Sequence, residues 1–239
     1  MTSPELEEFD GDIGRVLAIA AHPDDLEYGP AAAVARWTRS GHEVVYLLAT
    51  RGEAGIDSVS PDEAGPLRSA EQQRSAAVVS VDRVEFLDHP DGTLVHGPEL
   101  RRDLVAAIRR ERPDTVITVN HRETWGPPGA LNSADHRALG AAVLDAVQDA
   151  GNRWIFPGVG GHPHAVRRAM VAGSPHARHA IDVSGTVDAA VASLAEHRAY
   201  LEGLGDHPMA DPEFLRWVLA DAGARAGRDA AVAIELFEF

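Results

Sequence analysis

The sequence predicts an α/β fold: a mostly parallel sheet covered by helices on both faces. Three observations predict it. Short apolar runs alternate with amphipathic stretches along the first half of the chain. Those runs are apolar throughout, as in strands buried on both faces. Glycine or proline punctuates the ends of the intervening stretches, as helix stops do.

The elements follow in order. Arg15 to Ala21 is a short buried strand, and Pro30 to Ser40 a helix closed by Gly41. Glu43 to Ala49 is a second strand, Ala64 to Ser80 is helical, and Arg83 to Leu87 is a third strand. Leu100, Leu104 and Ile108 recur at helical spacing, with Pro113 beyond them, and Thr115 to Val119 is a fourth strand. Asp135 to Ala150 is helical, with Leu139, Val143, Leu144 and Val147 on one face and Gly151 at the stop. Val166 to Ala172 and Ala180 to Val183 are candidate strands. Val187 to Leu204 and Pro212 to Ala222 are candidate helices, the second stopped by Gly223, and Ala231 to Phe239 is a final strand. There is no repeat, low-complexity block or linker, so residues 1–239 are expected to form a single domain. The expected architecture is a Rossmann-like three-layer sandwich, whose chemistry collects at the carboxyl ends of its strands.

Composition narrows the function. A formal net charge of −15 over 239 residues argues against a nucleic-acid footprint and against an anionic membrane surface. With no cysteine, disulfides and thiolate metal sites are excluded. The acidic, polar start carries no secretory pattern, and no apolar run in the first half approaches the length of a bilayer span, so a cytoplasmic location without membrane insertion is expected.

The first strand runs into Ala21-His22-Pro23-Asp24-Asp25. Hydrolytic zinc takes three N/O protein ligands and keeps one position for water. His22 and Asp25, three apart across a tight turn, can point at one centre, leaving Asp24 beside it to accept a proton from the attacking water. Alternatively, both acids cap the next helix. After the fourth strand comes Asn132-Ser133-Ala134-Asp135-His136, in which Asn132 or Ser133 can cap a helix. His136 lies three before Leu139 and so faces inward, the natural third ligand, with Asp135 as a neighbouring or substrate-facing group. The competing reading is an ordinary surface helix start.

These residues resemble the PIG-L/LmbE-like N-acetylglucosaminyl deacetylases over roughly the first two thirds of the chain. Ala21 to Asp25 is similar to the family's Ala-His-Pro-Asp-Asp, Thr50-Arg51-Gly52-Glu53-Ala54-Gly55 to its Thr-x-Gly-Glu-x-Gly, Arg68 and Glu71 to its Arg-x-x-Glu, Asp91-Gly92 to a strand-ending Asp-Gly, and Ser133 to His136 to its His-Pro-Asp-His. The resemblance implies a metal-dependent hydrolase, a deacetylase that removes an N-acyl group, acetyl in the family, from an N-acetylglucosamine-type conjugate. It implies zinc on His22, Asp25 and His136, with Asp24 as general base. Two histidines and a carboxylate also suit iron(II) or another divalent metal. The partner is then a small amino-sugar conjugate, and a homo-oligomer is compatible with this reading.

One position departs from the pattern: Ser133 stands where the family has the histidine that aids the oxyanion or the leaving amine. A serine is no acid near neutral pH. Of the 12 histidines, His197, between Leu194 and Leu201 on a helix face, and His179, before Ala180, are expected to supply that role, with Asp135 among the catalytic candidates; otherwise Asp24 returns the proton itself. Arg68 is a candidate for substrate hydroxyls or anions, or else a helix-face ion pair with Glu71 or Glu63. Glu53 is a candidate for a sugar hydroxyl. Trp125, with Gly126-Pro127-Pro128-Gly129, offers an aromatic face for a sugar ring, or simple packing. Two other readings stand against this one. A nucleotide-binding oxidoreductase or transferase should carry a glycine-rich loop after the first strand, where Pro23 and two acids stand instead. A catalytically dead metal-binding relative would have no need of Asp24.

Overall fold

The computed structural model describes residues 5–126 and 130–239. Its strands are β1 (Glu7–Glu8), β2 (Val16–Ala20), β3 (Val44–Leu48), β4 (Arg83–Phe86), β5 (Thr115–Val119), β6 (Arg168–Ala172), β7 (His179–Asp182) and β8 (Ala231–Glu238). Its helices are α1 (Asp25–Tyr28), α2 (Ala31–Arg39), α3 (Pro61–Val78), α4 (Pro98–Glu111), α5 (Ala134–Gly151), α6 (Val187–Leu194), α7 (Arg198–Gly203) and α8 (Phe214–Ala226). The strands form one sheet in the order β1-β7-β8-β6-β5-β2-β3-β4. Every neighbouring pair is parallel except those of β8, which runs antiparallel between β6 and β7.

Period-two alternation within buried strands builds the three layers. Val16, Ala18, Ala20, Val44, Tyr46 and Leu48 face α2, α6 and α8. Leu17, Ile19, Val45 and Leu47 face the other way, against Leu104 and Ile108 of α4 and Leu139 and Val143 of α5. From β2 the chain moves outward to β3 and β4, then returns to place β5 on the other side of β2, in register Val16↔Thr115 through Ile19↔Thr118. That reversal leaves a crevice at the carboxyl ends of β2 and β5, where ligands of open α/β sheets bind.

Most expected elements are present within a few residues, but four features differ. The expected helix from Val187 to Leu204 is two helices. The break falls at Ala195 to His197, where Glu196 and His197 donate to the carbonyls three residues back, Ser193 at 3.2 Å and Leu194 at 3.1 Å. This turn draws His197 into the interior. Gly223 does not stop α8; a Cβ there would lie 2.7 Å from the Ala230 backbone, so its lack of a side chain serves close packing. The stop is Gly227, at φ 66°. The pair of residues forming β1 and the short α1 after Asp24 are additional. The insertion of β8 interrupts the parallel order on one side of the sheet.

Candidate active site

His22, two residues past β2, and Asp25, the first residue of α1, lie at the crevice. His136, in the first turn of α5, meets them there from the β5 side. The ligand atoms of the three lie within 4.8 Å of one another. Each is held by a specific contact. Asp25 Oδ2 accepts from the Ala21 and His22 backbone N–H groups at 3.1 and 2.8 Å. His136 Nδ1 pairs with Asn132 Oδ1 at 2.9 Å. His22 Nε2 lies 3.0 Å from Asp91 Oδ1 and 3.2 Å from Asp135 Oδ2. These contacts turn His22 Nδ1 and His136 Nε2 toward Asp25, at 3.4 and 2.9 Å.

The arrangement fits a divalent cation. His136 Nε2 is buried, 2.9 Å from Asp25 Oδ1 and without hydrogen-bond geometry to it, so both atoms are placed to serve one cation. Both imidazoles carry a carboxylate or amide oxygen on the far nitrogen, the usual support of a ligand histidine. Two imidazole nitrogens and one carboxylate leave coordination positions open. The site also favours positive charge. Burial opposes a charge on His22, but Asp25, Asp135 and Asp91 outweigh it and raise its pKa well above the ordinary value. Burial likewise opposes charge on Asp25, but His136 and His22 hold it well below the usual carboxylate range.

Asp24 sits beside the cluster in a strained conformation, with φ 91° for a residue that has a Cβ. Burial, together with Asp25, pushes its carboxyl up to about 6 against the opposing Arg68 charge. Arg68 NH2 donates to Asp24 Oδ2 at 2.9 Å and to Pro23 O at 2.6 Å, and NH1 donates to Gly52 O at 2.8 Å. Its guanidinium also packs over the Tyr200 ring, 4.3 Å from the centroid. Gly52, at φ 65°, makes room for this: a Cβ there would lie 2.3 Å from Arg68 NH1. Oδ2 is thereby committed, and Oδ1 has no hydrogen-bond partner among the described residues.

The remaining expected residues divide. Arg68 is 2% exposed and its donors point at Asp24 and backbone, so it holds the carboxylate in place rather than facing substrate. Its partner is neither Glu71 nor Glu63. Asp135 accepts from Gly92 N at 2.8 Å and Leu94 N at 3.0 Å while touching His22. It fixes the imidazole, ties the Asp91 loop to α5, and joins His22 and Asp91 in a second group whose ligand atoms lie within 4.8 Å of one another. Glu53 accepts from Asp91 N at 2.9 Å and Arg51 N at 3.2 Å, bracing two strand-end loops. Trp125 is 48% exposed and meets the His136 ring edge-on at 5.4 Å between centroids. Pro127, Pro128 and Gly129 of its loop lie outside the described residues.

Ser133 caps α5 by accepting from His136 N at 3.1 Å, as one of the two expected caps. Neither proposed replacement histidine reaches the crevice. His179 lies on β7, separated from β2 by β8, β6 and β5, about 19 Å away at ~4.8 Å per strand. Its Nε2 is 3.9 Å from Glu7. His197 is fully buried, with Nε2 3.4 Å from Glu27 Oε2. Burial lowers its pKa, but Glu27 outweighs this and raises it. It is enclosed because the turn at Ala195 directs it into the protein, yet close enough to Asp24 to favour that carboxylate's charge. Sequence reading assigned no role to Glu27 or Gln72. Gln72 Oε1 accepts from Asp24 N at 3.1 Å, and its Nε2 donates to Glu27 Oε1 at 2.8 Å. Asn132 was noted only as a cap, although its place four residues before His136 signals the contact.

The sequence model of the family described as PIG-L, GlcNAc-PI de-N-acetylase, matches residues 17–147, which span β2 to most of α5. A diacetylchitobiose deacetylase of Thermococcus kodakarensis is 31% identical over 195 residues, covering 79% of this chain and 70% of that protein. A 1D-myo-inositol 2-acetamido-2-deoxy-alpha-D-glucopyranoside deacetylase of Kineococcus radiotolerans is 30% identical over 172 residues, 57% of this chain and 48% of that protein. The structure of N,N'-diacetylchitobiose deacetylase from Pyrococcus horikoshii superimposes with a TM-score of 0.84 at 22% identity, over 95% of this chain and 85% of that one. The chain belongs to the PIG-L family.

Proposed function

We propose that this protein is a metal-dependent N-deacetylase that hydrolyses the acetamide of an amino-sugar conjugate. The observation that carries the reading is the pairing of His22, Asp25 and His136 with an adjacent, strained and partly unpartnered carboxylate, Asp24. A divalent cation on those three residues supplies Lewis acidity toward the acyl oxygen and makes a water acidic enough to react near neutral pH. Zinc is the first choice, with iron(II) compatible with the same donors.

Asp24 takes the proton from the attacking water through Oδ1, while Arg68 holds Oδ2 and so fixes the direction of the free lone pairs. The leaving nitrogen then needs that proton. With Ser133 no acid near neutral pH, His179 remote and His197 enclosed, Asp24 itself returns it. Trp125 offers an exposed ring edge-on to His136, suited to the apolar face of the sugar. No helix among the described residues is long and apolar enough to cross a membrane.

The test is release of free amine from a panel of N-acetylglucosamine conjugates by the purified protein, before and after EDTA and after re-addition of zinc or iron(II). Metal-restored amine release is expected. Absence of turnover on every conjugate by metal-replete protein would sink the proposal.

A further inference from the structure

Arg68, Gln72 and Ser75 share one face of α3, at 2%, 0% and 0% exposure. A buried face with only a packing role is more stable when apolar, because each buried polar group needs a partner. Here the partners are Asp24 and the residues around it. Arg68 NH2 donates to Asp24 Oδ2 at 2.9 Å, and Gln72 Oε1 accepts from the Asp24 backbone N–H at 3.1 Å. The Asp24 carbonyl accepts from Glu27 N at 2.9 Å and Tyr28 N at 3.0 Å, which opens α1. Asp24 makes no side-chain cap bond to that helix. Its N–H, carbonyl and Oδ2 are thus all fixed, and Oδ1 alone is left without a hydrogen-bond partner among the described residues.

The partners permit one orientation of the Gln72 amide. The Asp24 N–H can only donate and so takes Oε1, and Nε2 then donates to Glu27 Oε1 at 2.8 Å. The Ser75 hydroxyl donates to the same Glu27 oxygen at 2.7 Å, with Ser193 Oγ 2.8 Å behind it. The other Glu27 oxygen faces His197 Nε2 at 3.4 Å. Glu27, Gln72, Ser75, Ser193 and His197 are all 0% exposed, so water does not compete for these contacts. They tie α1, α3, α6 and the start of α7 to one backbone N–H. The φ of 91° gives that N–H its importance. A residue with a Cβ keeps such a conformation only where its surroundings hold it. Relaxation about the N–Cα bond would swing the Asp24 carboxylate away from its place beside His22 and Asp25.

We propose that Gln72 is a positioning residue: by bridging Glu27 to the Asp24 N–H it holds the strained turn that sets Asp24 Oδ1 beside the metal-ligating cluster, while Arg68, one turn earlier on α3, holds Oδ2. This rests on the deacetylase reading above, and the test reads the two apart. Gln72→Met keeps the side-chain length and removes both hydrogen bonds. In the full, zinc-loaded chain it should lower kcat about 10- to 100-fold, with KM within about twofold of wild type. The substrate is the fastest-cleaved of N-acetylglucosamine, N,N'-diacetylchitobiose and the inositol conjugate. Zinc content should stay near one equivalent. Gln72→Glu keeps an acceptor for the Asp24 N–H but sets a carboxylate against Glu27, and should lower kcat as well. Adding Glu27→Gln restores a donor opposite that carboxylate, with the Ser75 hydroxyl turning to accept, and should regain about fivefold or more in kcat. A residue that only fills space gives no such rescue. In the metal-free chain, the Asp24 amide resonance should move upfield in Gln72→Met, as on loss of a hydrogen bond, and return in the double variant. Undiminished kcat in Gln72→Met, a loss confined to KM, a loss of zinc that accounts for the fall, or no rescue in the double variant would overturn the proposal. If Gln72→Met does not fold, Gln72→Glu with and without Glu27→Gln, which conserve volume, decide alone. A wild type that cleaves none of the three compounds would refute the deacetylase reading; a shifted Asp24 resonance would then still uphold the positioning, and an unmoved one would overturn it.

Discussion

Removal of the Arg68 side chain tests whether it positions the base or binds substrate. Arg68→Met keeps much of the aliphatic stem and deletes all three hydrogen bonds, to Asp24, Pro23 and Gly52. Asp24 is then left as a buried carboxylate without its cation. Breaking such a pair from one side costs about 3–5 kcal/mol, and for a chain of this size each kcal/mol is worth about 2–4 °C in Tm. A fall of roughly 6–20 °C is therefore expected in a thermal melt. Catalytically, a base that loses its orientation lowers kcat while leaving ground-state binding nearly intact. Arg68→Lys retains charge but cannot span three acceptors with one ammonium, so it should recover part of the melting temperature and little of kcat. Metal content, measured by elemental analysis, should stay near one equivalent in both variants. A large rise in KM at undiminished kcat, with Tm unmoved, would refute the positioning argument and return Arg68 to substrate.

Four further outcomes follow from the same geometry. Asp24→Asn should retain metal and lose about 100- to 10,000-fold in turnover; near wild-type kcat in metal-replete protein would remove it as the base. Asn132→Ala frees His136 Nδ1 and should weaken metal affinity about 10- to 100-fold, read by chelator competition; unchanged affinity would show that Asn132 is only packing. Trp125→Ala should raise KM about 3- to 10-fold, the equivalent of roughly 0.5–1.5 kcal/mol of ring contact, and an unaltered KM would leave the exposed ring without that role. Glu111 is buried and paired with Arg83 and Arg110. Burial raises its pKa, but those hydrogen bonds outweigh it and hold the carboxyl below its usual range. Its contribution to stability is thus complete above the unfolded-state carboxylate range and fades as pH falls through the lower folded value. Because the arginines are half exposed, Glu111→Gln should cost about 1 kcal/mol near pH 7, about 2–4 °C in Tm, with the gap closing in acid; a pH-independent gap would mean lost packing instead.

The sequence by itself determined most of the elements and the strand ends at which the candidate metal site lies. Buried strands betray themselves by continuous apolar runs, and His22, Asp24 and Asp25 follow one such run directly, so their position at a strand end needs no tertiary knowledge. His136 was equally legible, because Leu139 fixes the inward face of its helix. What only the tertiary structure decided are the partnerships across distant segments. Local periodicity reports that a strand is buried, not which strand lies beside it. The insertion of β8 between β6 and β7, and with it the removal of His179 from the crevice, was therefore beyond it. His197 shows the same limit in a helix: its apolar neighbours correctly marked it as buried, but the turn at Ala195 and the Glu27 carboxylate chose which interior it entered. An arginine's long side chain can reach partners far from its own helix face, and Arg68 found Asp24, 44 residues away in sequence, instead of the acids beside it. That choice rests on Gly52 leaving the space and on two backbone carbonyls pointing inward at the same spot.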